Sequence, residues 1–195
     1  MSEPSSPEFS PRSSPEDVEL LQRVAQRDEA AFAQLYEKFK VRVVNLSFRY
    51  LGSRDDAEVA AQDAFLKIWK HAAEFRGSAQ VWTWIYRITA NVCLNMKIRK
   101  REELSELDSS VPAGESHQPQ DIHSRQRQEE IIRRALDLLP ADQRMATVLC
   151  RFEGMSYEEA AQTMNKSVRA VATLLFRARD NLRTRLLPLQ KRGVL

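Results

Sequence analysis

Residues 155–182 read MSYEEAAQTMNKSVRAVATLLFRARDNL, and their pattern sets the architecture of the second half of the chain. Ser156 and Glu159 have the spacing of a capping box, which predicts a short helix over residues 157–164. A tight turn follows, and Ser167 is placed to cap a longer helix. A short helix, a tight turn and a longer basic helix are typical of a helix-turn-helix.

The longer helix, which we expect to end before Pro188, has two different faces. At about 100° per residue, one face collects an apolar stripe made of Val168, Val171, Leu175, Ala178 and Leu182. The opposite face collects Lys166, Arg169, Thr173, Phe176, Arg177, Asp180 and Thr184. A solvated face explains the charges but not Phe176. Arginine contacts phosphates or guanine edges and phenylalanine contacts a thymine methyl, so this face predicts DNA binding.

Further helices are expected on both sides of a central connector. Four of them precede residue 102. The first starts at Pro15 after a capping serine, and the second covers 29–51 before Gly52. The third is capped at Ser53 and runs to about residue 71, and the fourth is capped at Ser78 and runs to about residue 101. Two more run from about residue 125 to Pro140 and from there to Gly154. The expected fold class is all-α.

Charge is distributed unevenly although the formal net charge is only +3. Residues 97–101 (KIRKR) carry four positive charges, residues 102–130 carry eight acidic and two basic side chains, and residues 166–185 carry six basic ones and one acid. This pattern indicates two polyanion-binding surfaces separated by an acidic connector. We therefore divide the chain into a disordered Ser- and Pro-rich tail (1–15), a first helical domain (16–103), a flexible linker (104–124) and a helix-turn-helix domain (125–190).

Composition argues against several functional classes. No nucleophile–base constellation, phosphate loop or metal-ligand set is recognisable, so we expect no enzyme, no cofactor and no metal site. Cys93 and Cys150 are isolated in apolar surroundings, which indicates reduced buried thiols in a cytoplasmic protein. No apolar run reaches the length needed for membrane insertion.

The segment 74–101, EFRGSAQVWTWIYRITANVCLNMKIRKR, combines aromatic and basic residues on one helix. Its apolar stripe consists of Val81, Trp84, Ile85, Ile88 and Val92. Trp82, Tyr86 and Thr89 fall elsewhere, so we expect some of these aromatic rings to be partly exposed. Exposed rings beside cations suit single-stranded nucleic acid, and an asparagine amide can read an extruded base. Packing of Trp82 and Tyr86 on a neighbouring helix remains an equal alternative.

Several motifs in the same order resemble the bacterial RNA polymerase sigma factors of the extracytoplasmic-function (ECF) group. FRGSAQVWTWIYRITANVCLNMKIRKR resembles their promoter-melting segment. DDAEVAAQDAFLKIWKHA resembles the helix that binds the clamp coiled coil of core polymerase, and residues 139–182 resemble their second DNA-binding domain. The resemblance runs from about residue 17 to residue 187.

The resemblance implies roles for individual residues. Those implied to bind core polymerase are Asp56, Glu58, Gln62, Asp63 and Lys67, whereas Phe65 and Trp69 lie on the same helix and equally suit the core. Those implied to hold single-stranded minus-ten DNA are Phe75, Arg76, Gly77, Ser78, Trp82, Arg87, Asn91, Lys97, Arg99, Lys100 and Arg101, with Trp84 in support. Those implied to bind duplex minus-thirty-five DNA are Lys166, Ser167, Arg169, Thr173, Phe176 and Arg177. The chain departs from many relatives at Ala172 and Leu174, where basic residues are common, so their promoter motifs cannot be transferred to it.

The resemblance therefore implies a dissociable sigma factor that recognises and melts promoters for core RNA polymerase. It also implies control by an anti-sigma factor, which in this group often holds its partner near the membrane. An autonomous helix-turn-helix regulator of duplex operators is the alternative, and a helical adaptor without specific DNA binding is a third. The first domain separates them, because a simple regulator needs neither the clamp-binding helix nor the aromatic and basic segment.

Overall fold

A computed structural model of the chain describes residues 15–77, 79–106 and 124–191, with side chains for all of these except 101, 104–106, 124–129 and 186–191. All regular secondary structure in the described ranges is helical, which confirms the all-α prediction. Most of the predicted tail and linker lies outside these ranges, as does Ser78.

The first domain contains four α-helices and one 3-10 turn. These are α1 (Pro15–Ala25), α2 (Glu29–Leu51), α3 (Arg54–His71), the 3-10 turn (Ala72–Glu74) and α4 (Val81–Glu106). Helix α2 starts at Asp28, whose carboxylate accepts a hydrogen bond from the Ala31 amide at 3.0 Å. It ends at Gly52, whose φ of 83° is a left-handed conformation that glycine adopts without steric cost. Ser53 then caps α3 through a longer bond of 3.4 Å to the Asp56 amide.

Helix α4 continues five residues beyond its predicted end. Residues 102–106 read EELSE, and glutamate and leucine are good helix formers that extend a helix without needing a core partner. Helical structure therefore reaches three residues into the segment that was predicted as linker.

The second domain begins with α5 (Ser124–Asp137) and α6 (Ala141–Thr147), followed by a π-helical segment (Val148–Phe152), α7 (Tyr157–Met164) and α8 (Val168–Lys191). The capping box at α7 forms both of its bonds: the Glu159 amide donates to Ser156 Oγ at 3.2 Å, and the Ser156 amide donates to Glu159 Oε2 at 2.8 Å. Asn165, at φ 51°, makes the tight turn to α8.

The prediction that α8 ends before Pro188 was wrong, since the helix runs through that proline to Lys191. Proline lacks an amide hydrogen, so the helix gives up one backbone bond there. The proline lies in the last turn of α8, so the loss of this backbone bond affects only the end of the helix.

Helix α2 is central to the first domain and packs on α1, α3 and α4. The largest fully buried side chains of this core include Leu21, Leu35, Leu46, Tyr50, Ile68 and Ile85. Burying one such aliphatic side chain stabilises the fold by about 1.5–3 kcal/mol.

The two domains are in contact with each other. Helix α4 packs against α7, and α2 packs against α5 and the π-helical segment. At this junction the Arg144 guanidinium, which is 4% exposed, donates from Nη1 to the Tyr50 carbonyl at the end of α2 at 2.9 Å. The same nitrogen lies 2.8 Å from the Asp137 carboxylate. The first domain and the helix-turn-helix domain therefore form one body in this structure.

Candidate nucleic-acid interface

Helix α8 presents one buried side and one bare side. Val171, Leu175 and Ala178 are buried against α6 and α7, as the apolar stripe predicted. Val168 was also placed in that stripe, and this was wrong: it is exposed, at the first residue of the helix.

The predicted DNA-contacting side chains of α8 are on the bare side. Exposed residues there include Lys166, Ser167, Arg169, Thr173, Phe176 and Arg177. Phe176 is 74% exposed and presents a large apolar ring to solvent. Two arginines on the same face as an exposed aromatic ring suit a DNA groove, where cations contact phosphates and the ring contacts a base. We call Arg169, Thr173, Phe176 and Arg177 the recognition face.

Local bonds position parts of this surface. Ser167 Oγ accepts a hydrogen bond from the Ala170 amide at 3.2 Å and so acts as the cap of α8. Thr173 Oγ1 donates to the Arg169 carbonyl at 2.9 Å, which leaves the hydroxyl oxygen able to accept a bond from outside. Lys166 Nζ lies 3.0 Å from the Asp142 carboxylate, so contact with a phosphate requires it to exchange that partner.

Ala172 and Leu174 are both half-buried. Leu174 packs against the hydrophobic core of the domain. Leu174 therefore contributes to the packing of the domain.

Helix α3 has an exposed face opposite its buried alanines. Four of the five predicted polymerase-binding residues are exposed there: Glu58, Gln62, Asp63 and Lys67. Phe65 is buried and Trp69 half-buried, and both rings pack on Phe32, with centroid distances of 6.4 and 5.0 Å. These two aromatic residues therefore belong to the core, which was the alternative left open for them.

Two apolar residues in the middle of the α3 face were missed by the sequence reasoning. Val59 is 49% exposed and Leu66 is 56% exposed, and they lie seven residues apart between the polar members of the face. Their position opposite the apolar stripe was a usable signal, because helical spacing places both residues on the exposed side of α3. We call these two residues, with Glu58, Gln62, Asp63 and Lys67, the α3 face.

Asp56 differs from the other predicted polymerase-binding residues. It is half-buried, and its carboxylate lies 2.6 Å from Nζ of Lys100 on α4. A predicted polymerase contact and a predicted DNA contact are thus paired with each other inside the first domain.

The expectation of exposed aromatic rings on α4 was wrong for Trp82 and Tyr86. Trp82 is 4% exposed, Tyr86 is fully buried, and their rings meet edge to face at 5.6 Å. Thr89 is buried as well and donates to the Ile85 carbonyl at 2.9 Å. Helix α4 has neighbours on several sides, since it packs on α2, α3 and α7, so a residue off its apolar stripe still meets protein.

Tyr86 and Glu153 join the two domains. The tyrosine hydroxyl donates to Glu153 Oε2 at 2.8 Å. Burial raises the pKa of Tyr86, and the neighbouring Glu153 carboxylate raises it further, so the hydroxyl keeps the proton that it donates. The neighbouring-helix alternative is therefore the one that holds for Tyr86.

A small cavity lies beside the N-terminal part of α4. It measures about 260 Å³ and is lined by Glu74, Phe75, Arg76, Ala79, Thr83, Trp84, Arg87 and Gln162. The Thr83 hydroxyl is buried without a hydrogen-bond partner. The Phe75 ring is half-buried and meets Trp84 edge to face at 5.8 Å. We call this cavity the strand pocket, since two aromatic rings and two arginines among its walls suit an extruded base with its phosphates.

The residues predicted to hold single-stranded DNA differ in their exposure. Arg76, Gly77, Arg87 and Asn91 are exposed. Gly77 has a φ of 70° and open space beside its α-carbon, so it turns the loop where a side chain would be strained. Trp84 is buried, as its place on the apolar stripe predicted.

The basic end of α4 is divided between solvent and the interior. Arg99 and Lys100 are exposed, and the Arg101 side chain lies outside the described residues. Lys97 is half-buried, with Nζ 5.5 Å from the centre of the Tyr50 ring. Burial, and after it the nearby Arg144 charge, lowers the pKa of Lys97. Lys97 is thus less suited to neutralising a DNA backbone than Arg99.

No group of three or more His, Cys, Asp or Glu side chains in the described ranges is arranged to hold a metal ion. Within the same ranges, no helix combines the length and apolar character that crossing a bilayer requires.

Comparison with known families matches both domains. Residues 35–103 match the family described as Sigma-70 region 2, and residues 129–182 match Sigma-70, region 4. Together they cover more than half of the chain, so the chain belongs to the sigma-70 family. It is a transcription initiation factor that acts with RNA polymerase at promoter DNA.

Curated relatives narrow this to the ECF group. The chain is 32% identical over 184 residues to the RNA polymerase sigma-H factor of Pseudomonas aeruginosa, an alignment that covers 89% of this chain and 95% of the relative. It is 32% identical over 186 residues to the ECF RNA polymerase sigma-E factor of Escherichia coli K12, which covers 90% and 97%. The resemblance to ECF sigma factors is thereby confirmed.

Solved structures share the fold. CnrH, in complex with the cytosolic domain of CnrY, has a TM-score of 0.66 at 23% identity and covers 88% of this chain and 97% of its own. The sigma factor RpoE of Bartonella quintana, in complex with the anti-sigma factor NepR, has a TM-score of 0.65 at 24% identity and covers 78% and 94%.

Proposed function

We propose that this ECF sigma factor uses three separate surfaces to place RNA polymerase on a promoter. The α3 face binds core polymerase, the strand pocket with Asn91 captures a melted strand, and the recognition face docks in upstream duplex. The observation that carries the proposal is that the α3 face and the recognition face are both exposed, on different domains of one chain. One molecule is thus able to hold polymerase and duplex DNA together.

Binding to core polymerase draws on the composition of the α3 face. Its polar residues surround Val59 and Leu66, which gives a small apolar centre with a charged rim. This is the usual anatomy of a protein interface that forms and dissociates. Asp56 contributes there only after it leaves Lys100.

Capture of a single strand draws on the strand pocket. A base that leaves the stack loses a few kcal/mol, and stacking on an aromatic ring returns about 1–3 kcal/mol per base. The arginines at the pocket add charge pairing with the backbone. Binding energy therefore drives melting without nucleotide hydrolysis, and the polymerase carries out the chemistry, so the chain is not itself an enzyme.

Recognition of duplex DNA draws on α8. Its arginines are placed for phosphates or guanine edges, and Phe176 for a thymine methyl group. Two further parts of the proposal rest on the family. The factor acts in the cytoplasm with its polymerase, and an anti-sigma factor controls it by binding, as NepR binds the sigma factor RpoE of Bartonella quintana.

Reconstitution tests the function directly. The purified chain is mixed with Escherichia coli core polymerase and a promoter library made from genomic DNA, and transcript starts are mapped. We expect discrete starts that depend on the chain. Specific binding to duplex DNA by the chain alone, with no starts and no binding to core polymerase, would instead establish an autonomous helix-turn-helix regulator.

A matched pair of variants tests strand reading. Asn91 and Asn95 are both exposed on α4, one turn apart. Asn91→Ala is expected to lower transcription from the mapped promoters by about tenfold, the effect of losing a hydrogen bond to a base edge of about 1.4 kcal/mol. Asn95→Ala is the control and should leave transcription unchanged. Polymerase affinity should be the same in both variants, and an equal loss of affinity and transcription in Asn91→Ala would contradict base reading.

A further inference from the structure

An apolar groove lies where α4 meets the end of α2 and the start of α6. It measures about 780 Å³, within the range of about 300–1,000 Å³ that is usual for small-molecule sites. Leu51, Leu94, Ile98 and Pro140 supply apolar walls, and Ile98 is 54% exposed. We call this cavity the junction groove. Its size and lining suit an apolar molecule.

Tyr50 adds a hydroxyl group that has no use within the fold. The side chain is fully buried and belongs to the wall of the junction groove, and its hydroxyl lacks a hydrogen-bond partner among the described residues. Buried polar groups are nearly always paired with protein, water or a ligand, because an unpaired one destabilises the fold. Burial raises the pKa of Tyr50 to about 12, so the hydroxyl stays protonated and is a donor without an acceptor.

Lys97 adds a positive charge to the same groove. Both acids that line the groove are paired with other lysines, Asp56 with Lys100 at 2.6 Å and Asp142 with Lys166 at 3.0 Å. Lys97 itself forms no ion pair within the described part of the chain. Burial lowers the pKa of Lys97, because a half-buried ammonium group without a counter-ion is poorly solvated. One cation of this groove is therefore left without an anion.

The two groups are close enough to hold one anionic head group. Lys97 Nζ lies 5.5 Å from the centre of the Tyr50 ring. A carboxylate accepts hydrogen bonds at both of its oxygens, so it is able to bind an ammonium group and a phenol together. Its single charge also matches the single unpaired cation, whereas a phosphate monoester carries nearly two charges.

We propose that the junction groove binds a free long-chain carboxylic acid, whose head group accepts hydrogen bonds from Lys97 and Tyr50 and whose tail covers Ile98 and the neighbouring apolar walls. Covering Ile98 removes exposed aliphatic surface from water, which favours binding. The site is independent of the surfaces proposed for polymerase and DNA, and it gives Lys97 a ligand other than the single strand implied by the resemblance.

Titration calorimetry on the full chain tests the site with dodecanoic acid, kept below the concentration at which it forms micelles. We expect saturable binding of one molecule per chain and a negative heat-capacity change, the sign of apolar burial. Dodecanol, which has the same tail without the carboxylate, should bind at least tenfold more weakly. No saturable binding of the acid would overturn the proposal. Equal or tighter binding of dodecanol would identify a purely apolar docking face, as for a helix of a partner protein, and would overturn it too.

A matched pair of lysine variants tests the head-group contact. Lys97→Met keeps most of the aliphatic stem and removes the charge, so it should weaken binding of the acid at least tenfold and leave dodecanol unchanged. Lys70→Met removes the same charge at an exposed position outside the groove and should change neither affinity. The proposal is contradicted if the two variants weaken binding of the acid equally.

Tyr50→Phe removes only the hydroxyl and separates ligand binding from folding. It should weaken binding of dodecanoic acid severalfold, because the head group loses one donor. It should not lower the free energy of unfolding, since the hydroxyl has no partner in the unbound chain. Lower stability together with unchanged affinity would show that the hydroxyl serves the fold instead, and would overturn a site built on two donors.

Two further measurements separate the acid from other occupants of the groove. Ile98→Asp should weaken binding of both probes at least tenfold, whereas Val41→Asp, at a 62% exposed position on α2, should keep it. If dodecanoic acid binds only after residues 107–123 are replaced by a Gly- and Ser-rich segment of equal length, that segment is the occupant and the proposal fails. It also fails if the chain sediments as a dimer that Ile98→Asp dissociates, since a second copy then fills the groove.

Discussion

Phe176 and Trp82 are both large aromatic side chains off the apolar stripe of their helices, yet one is 74% exposed and the other 4%. Helix α8 packs on α6 and α7 and leaves its opposite side bare. Helix α4 packs on α2, α3 and α7. Helical periodicity therefore identifies a free face only on a helix whose neighbours lie on one side. On α4, the second domain packs against a side of the helix that lies off its apolar stripe.

The largest test of this contrast removes each aromatic ring in turn. Trp82→Ala should lower the free energy of unfolding by about 3–5 kcal/mol, because it empties a buried site. Phe176→Ala should change it by less than about 0.5 kcal/mol, as is usual at an exposed position. Urea unfolding followed by circular dichroism measures both. Similar losses in the two variants would mean that Phe176 is packed rather than presented.

Two arginines, one buried and one exposed, show the same contrast with a smaller expected effect on stability. Arg144 is buried and bonded to the Tyr50 carbonyl, whereas Arg177 is exposed on the recognition face. Arg144→Met should cost about 1.5–3 kcal/mol of stability, the range for hydrogen bonds made by charged groups. Arg177→Met should leave stability unchanged and weaken binding to upstream duplex. The comparison fails if Arg177→Met destabilises the fold as strongly as Arg144→Met.

The salt dependence of DNA affinity distinguishes residues that contact a single strand from residues that contact duplex DNA. If Arg177 contacts one phosphate, Arg177→Ala should reduce the slope of log affinity against log salt by about 0.9 on duplex DNA. Arg87→Ala should reduce the corresponding slope by about 0.7 on a single strand. Polymerase reconstituted with each variant is titrated with an upstream duplex and with a non-template strand from a mapped promoter. Each variant serves as the control for the other probe, and an unchanged slope would remove that arginine from the contact.

The smallest expected effect compares two helix caps. Ser156 takes part in a reciprocal pair of bonds at 3.2 and 2.8 Å, whereas Ser53 accepts one bond at 3.4 Å. Ser156→Ala should therefore cost about 1 kcal/mol, near the typical value for a lost cap, and Ser53→Ala should cost less. Thermal unfolding of both variants measures this order. A reversed order would show that capping geometry does not set the cost here.

Local signals accounted for much of the fold. The caps at Ser53, Ser156 and Ser167 and the left-handed glycine at position 52 were readable because a few adjacent residues determine them. The exposed side of α8 was predictable from the sequence for a similar reason, because this helix packs on neighbours along one side only. The predicted end of α4 was too early, because the acidic last turns of this helix form without packing against a core.

Long-range packing accounted for what the sequence reasoning missed. Glu153 is bonded to Tyr86, which lies 67 positions away in the sequence, and no local sequence pattern predicts that pair. The burial of Trp82 and Tyr86 and the Gln162 wall of the strand pocket likewise arise from helices of both domains. Val59 and Leu66 were different, because their exposure followed from helical spacing and was available to be read.

Site-specific photo-crosslinking tests most directly whether the two domains hold different forms of DNA. A benzoylphenylalanine is placed at Arg76, beside the strand pocket, or at Phe176, on the recognition face, and each chain is assembled with polymerase on a mapped promoter. We expect crosslinks from position 76 to unpaired bases of the non-template strand and from position 176 to duplex further upstream. Crosslinks from both positions to the same duplex segment, with no unpaired bases in the promoter, would contradict a division of DNA binding between the two domains.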